Sequence, residues 1–220
     1  MSFQSTVLNF FLKKFVKNTK PAPDEYSYQD MRDLMNDSFE MGEKNFIEKL
    51  IIKSTFANRR SSIKSTEIVL DGIRTLKITR DDSQKEKCIL YFHGGGYIAG
   101  SPETHLNLLK EIYNNSKITI YAIDYSLSPE SKFPLALNEA VRSYTALRDL
   151  GYQANNIIIG GDSAGGNLSL VCTLKLQENN QELPSKLFLL SPWTDLTASG
   201  KSIESNSISD PYLSYDDFHL

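Results

Sequence analysis

Cysteine and histidine are scarce in this sequence, with two of the former and three of the latter among 220 residues. No C-x-x-C pair and no cluster of histidine and cysteine occurs, so we expect no metal, no redox centre and no organic cofactor. Cys88 and Cys172 each lie within an apolar run. This placement predicts buried free thiols in a reducing compartment, and we therefore expect a cytoplasmic protein.

A strong net charge and a long apolar run are also missing. The 24 basic and 27 acidic residues give a net charge of −3, which offers no field to attract nucleic acid. Uncharged stretches such as 163–174 fall short of the roughly 18 apolar residues that cross a bilayer. The N-terminal lysines follow the apolar residues instead of preceding them, which is the reverse of a secretory signal peptide. We expect no nucleic-acid partner and no transmembrane segment.

The apolar content, 40% of all residues, is enough for one core domain with a small lobe. Helical spacing of apolar residues at 3–16 and again at 28–52 predicts that residues 1–62 form a helical lobe packed on the core. Attachment of the first, basic helix to a membrane surface is the alternative. Residues 63–200 are expected to form the core, and residues 201–220 a separate segment.

After residue 65, short β-rich runs alternate with longer segments of helical periodicity. This alternation predicts an α/β fold in which helices cover both faces of a doubly wound, mostly parallel sheet. The first two runs predict a hairpin that turns at Asp71-Gly72. The predicted strands are 66–70, 73–79, 88–92, 118–123, 157–159 and 187–190, and the predicted helices are 103–114, 134–150 and 164–179.

Ser163 lies in a G-x-S-x-G pentapeptide between a predicted strand and a predicted helix. In this context the serine occupies a sharp turn that exposes its hydroxyl, and the flanking glycines avoid clashes with neighbouring backbone. The free N–H groups at the start of the helix favour negative charge near the serine. The motif predicts a nucleophile.

Three consecutive glycines, Gly94 to Gly96, follow His93 at the end of the predicted strand 88–92. Their N–H groups are not covered by side chains and could bind a carbonyl oxygen that becomes an oxyanion. A phosphate site or a merely flexible loop would also use such glycines. Neither of these readings explains the serine motif downstream.

Together these residues resemble the hormone-sensitive-lipase-like group of α/β-hydrolase esterases. The similarity extends from about Leu90 to Leu213. It includes HGGGY at 93–97, DYSLSPE at 124–130, FPLAL at 133–137, GDSAGG at 161–166 and SPWTDL at 191–196.

The resemblance implies a carboxylic ester hydrolase that acts on small-molecule esters without a cofactor. Ser163 would be the nucleophile, and the N–H groups of Gly94, Gly95, Gly96 and Ala164 would form the oxyanion hole. The N-terminal helices would be a cap over the active site, and residues 201–220 would begin a second cap segment.

Two positions depart from the family pattern, because Ser126 and Ser128 stand where the family usually carries arginine and alanine. We therefore expect a charge contact near Asp124 and Glu130 to be missing or replaced. Asp162, beside the nucleophile, points the wrong way for a triad member and is expected to have a supporting structural role.

The base that would activate Ser163 is the open question. In this fold the triad residues follow one another along the chain in the order serine, acid, histidine. Of the three histidines, only His219 comes after Ser163. His93 is expected to order the glycine loop and His105 to lie on a helix surface. Asp195 could stand in for the acid, whereas Asp210, Asp216 and Asp217 are expected on the surface.

In the family, the acid and the histidine follow two further strands, so we expect an incomplete core with the last strands missing and strand 187–190 at an exposed edge. Such a chain would be inactive or weak alone. A truncated or split gene product is one reading, and completion by a second polypeptide or a homo-oligomer is another. The third is a non-catalytic protein that binds a small ligand on the same fold.

Overall fold

The structure, a computed structural model, describes Gln29, Arg32, Asp33, residues 35–37 and residues 63–210. The first six of these residues are helical, as the pattern at 28–52 predicts, and the predicted helix at 3–16 lies outside the described residues. The strands are β1 (Lys64–Leu70), β2 (Ile73–Thr79), β3 (Gln84–Phe92), β4 (Ile118–Ile123), β5 (Ile157–Asp162) and β6 (Lys186–Leu190). The helices are α1 (Leu106–Ser116), α2 (Leu135–Asp149), α3 (Ser163–Glu178) and the short α4 (Lys201–Ser205), with a 3₁₀ turn at Ala154–Asn156.

The six strands form one mixed sheet in the order β1-β2-β4-β3-β5-β6. β4, β3, β5 and β6 are parallel, whereas β1 and β2 form an antiparallel hairpin that pairs with β4. The hairpin turns at Asp71 and Gly72, both with positive φ (45° and 79°), as a tight two-residue turn favours. The predicted hairpin and the predicted mostly parallel sheet are confirmed.

Helices cover both faces of this sheet. In β3, Cys88, Leu90 and Phe92 belong to the core cluster that also contains residues of α2 and α3. Ile89 and Tyr91 belong to a second cluster with residues of α1. Because successive side chains of a strand point to opposite faces, this division follows directly from the strand geometry. The doubly wound α/β fold is therefore confirmed for the described residues.

The chain divides into two compact units. One unit is Arg32–Trp193, which holds the whole sheet and helices α1 to α3. The other includes residues 194–210 with helix α4. The predicted boundaries near residues 62 and 200 remain a prediction. Among the described residues, no helix combines the length and the apolar character that crossing a membrane requires.

The two cysteines are fully buried free thiols, one in β3 and one in α3. Burial raises the pKa of Cys88 and of Cys172 to about 12. Because the thiolate is the reactive form, we expect neither thiol to react with Ellman's reagent in the folded protein. Both should react once guanidinium unfolds the chain. Rapid reaction of either thiol without denaturant would contradict the burial described here.

Candidate active site

Ser163 lies at the turn between β5 and α3, where no residue separates the strand from the helix. Asp162 ends β5 and Ser163 begins α3. The φ angle of Ser163 is 51°, in the left-handed region that residues other than glycine seldom adopt. Strain of this kind, roughly 1 to 3 kcal/mol, is found where a protein fixes a functional side chain. The strand-turn-helix placement that the sequence predicts for this serine is confirmed.

The glycines around Ser163 allow very close backbone approach. A Cβ atom on Gly165 would lie 2.0 Å from the carbonyl oxygen of Phe92 and 2.5 Å from that of His93. A Cβ atom on Gly161 would lie 2.5 Å from the same Phe92 oxygen. Only glycine permits these contacts. The first turn of α3 is therefore pressed against the end of β3, which brings the residues after β3 next to Ser163.

Those residues form what we call the glycine loop, residues 93–100. The carbonyl oxygen of Gly95 accepts hydrogen bonds from the N–H groups of Ile98 (3.0 Å) and Ala99 (2.9 Å), which closes a tight turn. Gly95 and Gly96 have φ angles of 123° and 62°. Within the described part of the chain, their own N–H groups donate to no acceptor. The Ala164 N–H is in the first turn of α3, where no intrahelical acceptor exists.

Asp162 ties the glycine loop to the serine turn. Its Oδ1 accepts hydrogen bonds from the hydroxyl of Tyr91 (2.7 Å) and from the N–H of Gly94 (3.0 Å). Its Oδ2 lies 3.3 Å from Nε2 of His105. The N–H of Gly94 is thus already engaged, so the role in the oxyanion hole that the resemblance implies for Gly94 is not carried into the proposal below.

The ionisation of Asp162 reflects this environment. Burial by itself would raise the pKa of the carboxyl group, but the interactions with His105, Tyr91 and the Gly94 N–H outweigh it and lower the pKa below its usual value. The carboxylate is therefore held in its charged form. Its supporting role, expected from the sequence, consists of fastening strand β5 to the glycine loop.

His105 does not lie on a helix surface, so that prediction is wrong. Only 6% of the residue is exposed, and its Nδ1 lies 2.9 Å from Oγ1 of Thr104 while its Nε2 faces Asp162. The helical periodicity of 103–114 misleads here, because α1 begins after this residue and His105 itself is the N-cap. The cap position turns its side chain towards the sheet.

His93 is buried at the start of the glycine loop. Its Nδ1 donates to the carbonyl oxygen of Gly94 (2.7 Å), and its ring stacks on Tyr125 with centroids 4.3 Å apart. The Tyr125 hydroxyl donates in turn to the carbonyl oxygen of His93 (2.7 Å). Burial lowers the pKa of His93 to about 4, so the ring is neutral near neutral pH. These contacts agree with the expectation that His93 orders the loop.

The charge contact expected near Asp124 and Glu130 is replaced. Arg74 in β2 pairs with Asp124 (2.8 Å), and Arg32 pairs with Glu130 (2.6 Å). At Ser126, where the family usually has arginine, the N–H and the hydroxyl both donate to the carboxylate of Glu139. Two arginines from distant parts of the chain therefore form ion pairs with the acidic residues of the 124–130 segment.

Asp195, a candidate for the acid by its position in the sequence, belongs to the unit that includes residues 194–210. Its carboxylate accepts hydrogen bonds from the N–H and hydroxyl groups of Thr197 and Ser199, and these bonds lower its pKa. The side chain thus organises its own turn. Asp210 is half-buried, and Asp216, Asp217 and His219 lie outside the described residues.

A cleft of about 420 Å³ lies at the opposite end of the sheet from Ser163. It forms where β3 and β4 begin, whereas the serine follows the end of β5. Because ligands of open α/β sheets bind at the carboxyl ends of the strands, we assign this cleft no part in the chemistry of Ser163. Its lining includes Lys77, Arg80, Lys85, Thr119 and Tyr152.

The fold agrees with that of known proteins. A family model described as alpha/beta hydrolase fold matches residues 89–220, and the chain belongs to this family. An esterase from Acinetobacter venetianus is 34% identical over 155 residues, which are 70% of this chain and 51% of the esterase. An acetyl-hydrolase from Streptomyces hygroscopicus is 33% identical over 136 residues, which are 62% of this chain and 46% of the hydrolase.

A solved structure of a hormone-sensitive lipase from a metagenome library is also similar. It is 32% identical, superposes with a TM-score of 0.82, and the match covers 97% of this chain and 66% of that one. The resemblance to hormone-sensitive-lipase-like esterases is thereby confirmed. The chain spans about half the length of the curated relatives it matches.

Replacing Asp162 with asparagine tests the link between strand and loop. We expect Asp162→Asn to lower the free energy of unfolding near neutral pH by about 2 kcal/mol, because charge-assisted hydrogen bonds inside the protein are lost. The folded pKa lies below the usual value, so this stabilisation is present above about pH 4 and is lost as the pH falls through the folded pKa. Urea unfolding of both proteins, followed by tryptophan fluorescence, measures the difference.

The difference in the free energy of unfolding between the wild type and Asp162→Asn should become smaller at about pH 3. Asp149→Asn, at an exposed position at the end of α2, is the control and should change stability by less than about 0.5 kcal/mol. A gap that stays constant with pH would contradict the role given to the charge on Asp162.

Proposed function

We propose that the protein hydrolyses carboxylic esters through an acyl-enzyme on Ser163. The observation that carries the proposal is the close packing of the Ser163 turn against a glycine loop in which the N–H groups of Gly95 and Gly96 donate to no acceptor among the described residues. A nucleophile beside N–H donors without acceptors is the arrangement that acyl transfer requires. Membership of the α/β-hydrolase family supports the same reaction.

The chemistry follows from this arrangement. The hydroxyl oxygen of Ser163 attacks the ester carbonyl, and the developing oxyanion accepts hydrogen bonds from the N–H groups of Gly95, Gly96 and Ala164. Collapse of the tetrahedral intermediate breaks the ester C–O bond, and the leaving oxygen receives the proton that the general base took from Ser163. The alcohol is released, and an acyl group remains on the serine. Water then attacks the acyl-enzyme, releases the acid and restores the hydroxyl group. The positive end of α3 favours negative charge at both tetrahedral stages.

The Ser163 hydroxyl has no hydrogen bond to either histidine of the described residues. His105 faces Asp162, and His93 donates from Nδ1 to the Gly94 carbonyl, while its Nε2 is buried with no hydrogen-bond partner in the described part of the chain. We assign the proton transfer to a histidine outside the described residues. It is either His219 of this chain or a histidine that a complementing polypeptide or a second copy of the chain brings to the site.

The substrate is proposed to be a small ester with a short acyl chain. Support comes from the names of the similar proteins, one an esterase and one an acetyl-hydrolase. A cytoplasmic location is proposed on the two buried free thiols, which suit a reducing compartment.

A second candidate function is the binding of a small ligand without turnover. It is favoured by one observation, that neither histidine of the described residues hydrogen-bonds to the Ser163 hydroxyl. Such a protein would keep the serine turn and the glycine loop but would have no means of taking the proton from the hydroxyl group.

Reaction with a fluorophosphonate separates the two candidates. The hydrolase proposal predicts a covalent adduct on the peptide that contains Ser163, found by mass spectrometry, together with hydrolysis of p-nitrophenyl acetate. The absence of both, with saturable binding of an ester analogue by calorimetry, would reject the hydrolase and support the ligand-binding protein.

A further inference from the structure

Arg32 makes an unusually complete set of contacts for a residue so far from the glycine loop in sequence. Its Nε donates to the carbonyl oxygen of Ile98 (2.6 Å), and its Nη2 donates to the carbonyl oxygen of Ser128 (2.6 Å). Its Nη1 and Nη2 also donate to the two carboxylate oxygens of Glu130, at 2.8 and 2.6 Å. The guanidinium group thus joins the glycine loop to the segment 128–130.

A second residue of the same helical stretch contacts the same loop. Oδ1 of Asn36 accepts a hydrogen bond from the N–H of Gly100 (3.0 Å). Arg32 and Asn36 are four residues apart, so they lie on one face of a helix. This face therefore contacts the backbone of the glycine loop at Ile98 and again at Gly100, on the far side of the turn that begins at Gly95.

Asp162 and Tyr125 hold the start of the glycine loop, through the Gly94 N–H and the His93 carbonyl, so the support that remains to be explained is that of its second half, residues 97–100. The turn closed by the Gly95 carbonyl is internal, and it would survive a shift of the entire loop. The N–H of Ser128 donates to the carbonyl oxygen of Tyr97 (2.8 Å), which links the loop to the segment 128–130. Arg32 binds both of these parts, and it fixes the position of one relative to the other.

We propose that Arg32 is a positioning residue, which holds the glycine loop where the N–H groups of Gly95 and Gly96 can bind a substrate oxyanion. The inference rests on the function proposed above. Arg32 acts through its hydrogen bonds to the Ile98 and Ser128 carbonyl oxygens. The ion pair with Glu130 contributes little, because the Glu130 side chain is 60% exposed and exposed pairs are weak.

Two variants separate the carbonyl contacts from the ion pair. Arg32→Gln removes the guanidinium and with it both carbonyl contacts, whereas Glu130→Gln leaves these contacts in place and removes only the charge of the partner. Arg142→Gln is the matched control, because Arg142 also binds a carboxylate and a carbonyl oxygen, both of Asp71, at a site remote from the glycine loop.

The first readout is hydrogen–deuterium exchange of the full-length protein, which does not depend on turnover. Arg32→Gln should raise the exchange rate of amides in the peptides covering 94–101 by about tenfold. Glu130→Gln and Arg142→Gln should leave these peptides within about twofold of the wild type. Exchange elsewhere in the sheet should not change in any of the three variants.

The second readout is the hydrolysis of p-nitrophenyl acetate. Arg32→Gln should lower kcat by about 10- to 100-fold, because a misplacement of about 1 Å at reacting groups costs this much. KM should stay within about threefold, because the donors act on the transition state more than on the bound ester. Arg32→Lys, which keeps the charge but not the forked geometry, should restore only part of kcat.

The outcomes decide the two proposals separately. Unchanged exchange at 94–101 in Arg32→Gln would overturn the positioning role, whether or not the wild type is active. Faster exchange at 94–101 in Arg32→Gln, together with a wild type that never hydrolyses esters or labels, would keep the positioning role and reject the hydrolase. If Arg32→Gln does not fold, Arg32→Lys takes its place, since an ammonium group cannot hold both carbonyl oxygens in the forked geometry and should raise exchange at 94–101 by a smaller factor.

Discussion

Replacing Ser163 with alanine is expected to lower kcat for ester hydrolysis on the order of a millionfold relative to the wild type assayed with its general base present, to the level of catalysis that binding and N–H donors can give. The reason is that alanine cannot form the acyl-enzyme, so the reaction loses both of its covalent steps. The thermal midpoint should change little, because alanine also has a Cβ atom and keeps the same strained backbone angle at position 163. Steady-state hydrolysis and mass spectrometry of the fluorophosphonate-treated protein measure the loss.

Ser205→Ala, at an exposed serine in α4, is the control and should hydrolyse and label like the wild type. Retention of more than about one per cent of the wild-type kcat in Ser163→Ala would mean that another group carries the reaction. In that case the account of Ser163 as nucleophile is wrong.

Replacing Gly165 with alanine is expected to destabilise the whole protein, with a loss of about 4 kcal/mol in the free energy of unfolding. The added methyl group would lie 2.0 Å from the Phe92 carbonyl oxygen. Neither atom can rotate away, because the methyl carbon is fixed by the backbone of α3 and the oxygen belongs to the backbone of β3. Alanine gains about 1 kcal/mol over glycine in a helix, which is too little to offset the clash. Urea unfolding measured by circular dichroism gives the difference.

Gly200→Ala is the matched control, because its nearest neighbour would be 3.8 Å away and the residue has no positive φ. We expect it to change stability by less than about 1 kcal/mol. If Gly165→Ala unfolds at the same urea concentration as the wild type, the close packing of α3 on the end of β3 is not present in solution.

Much of the sheet follows from local pattern. The strand at Ile73–Thr79 and the strand at Ile118–Ile123 have the predicted limits, and the Asp71-Gly72 turn between the first two strands is confirmed. β3 begins four residues earlier than the predicted 88–92, at Gln84, because its first residues are exposed and polar and give no apolar signal. The pattern of apolar residues indicates which part of a strand is buried, so it does not predict the exposed part of the same strand.

The serine turn and the glycine loop could also be read from the sequence, since each is a short motif with its own backbone requirement. The long-range contacts that join the serine turn to the glycine loop, and the loop to its neighbours, could not be predicted from the sequence. The His105 contact with Asp162 spans 57 residues, and the Arg32 contact with Glu130 spans 98. Neither involves a periodic pattern, and a polar residue that ends up buried looks the same in sequence as one on the surface.

The most direct test of the account is a crystal structure of the protein after reaction with a fluorophosphonate. The phosphorus should be bonded to Oγ of Ser163, and the phosphonyl oxygen should lie about 3 Å from the N–H nitrogens of Gly95, Gly96 and Ala164, where a substrate oxyanion would lie. An adduct on another residue, or a phosphonyl oxygen turned away from these three nitrogens, would contradict the central claim.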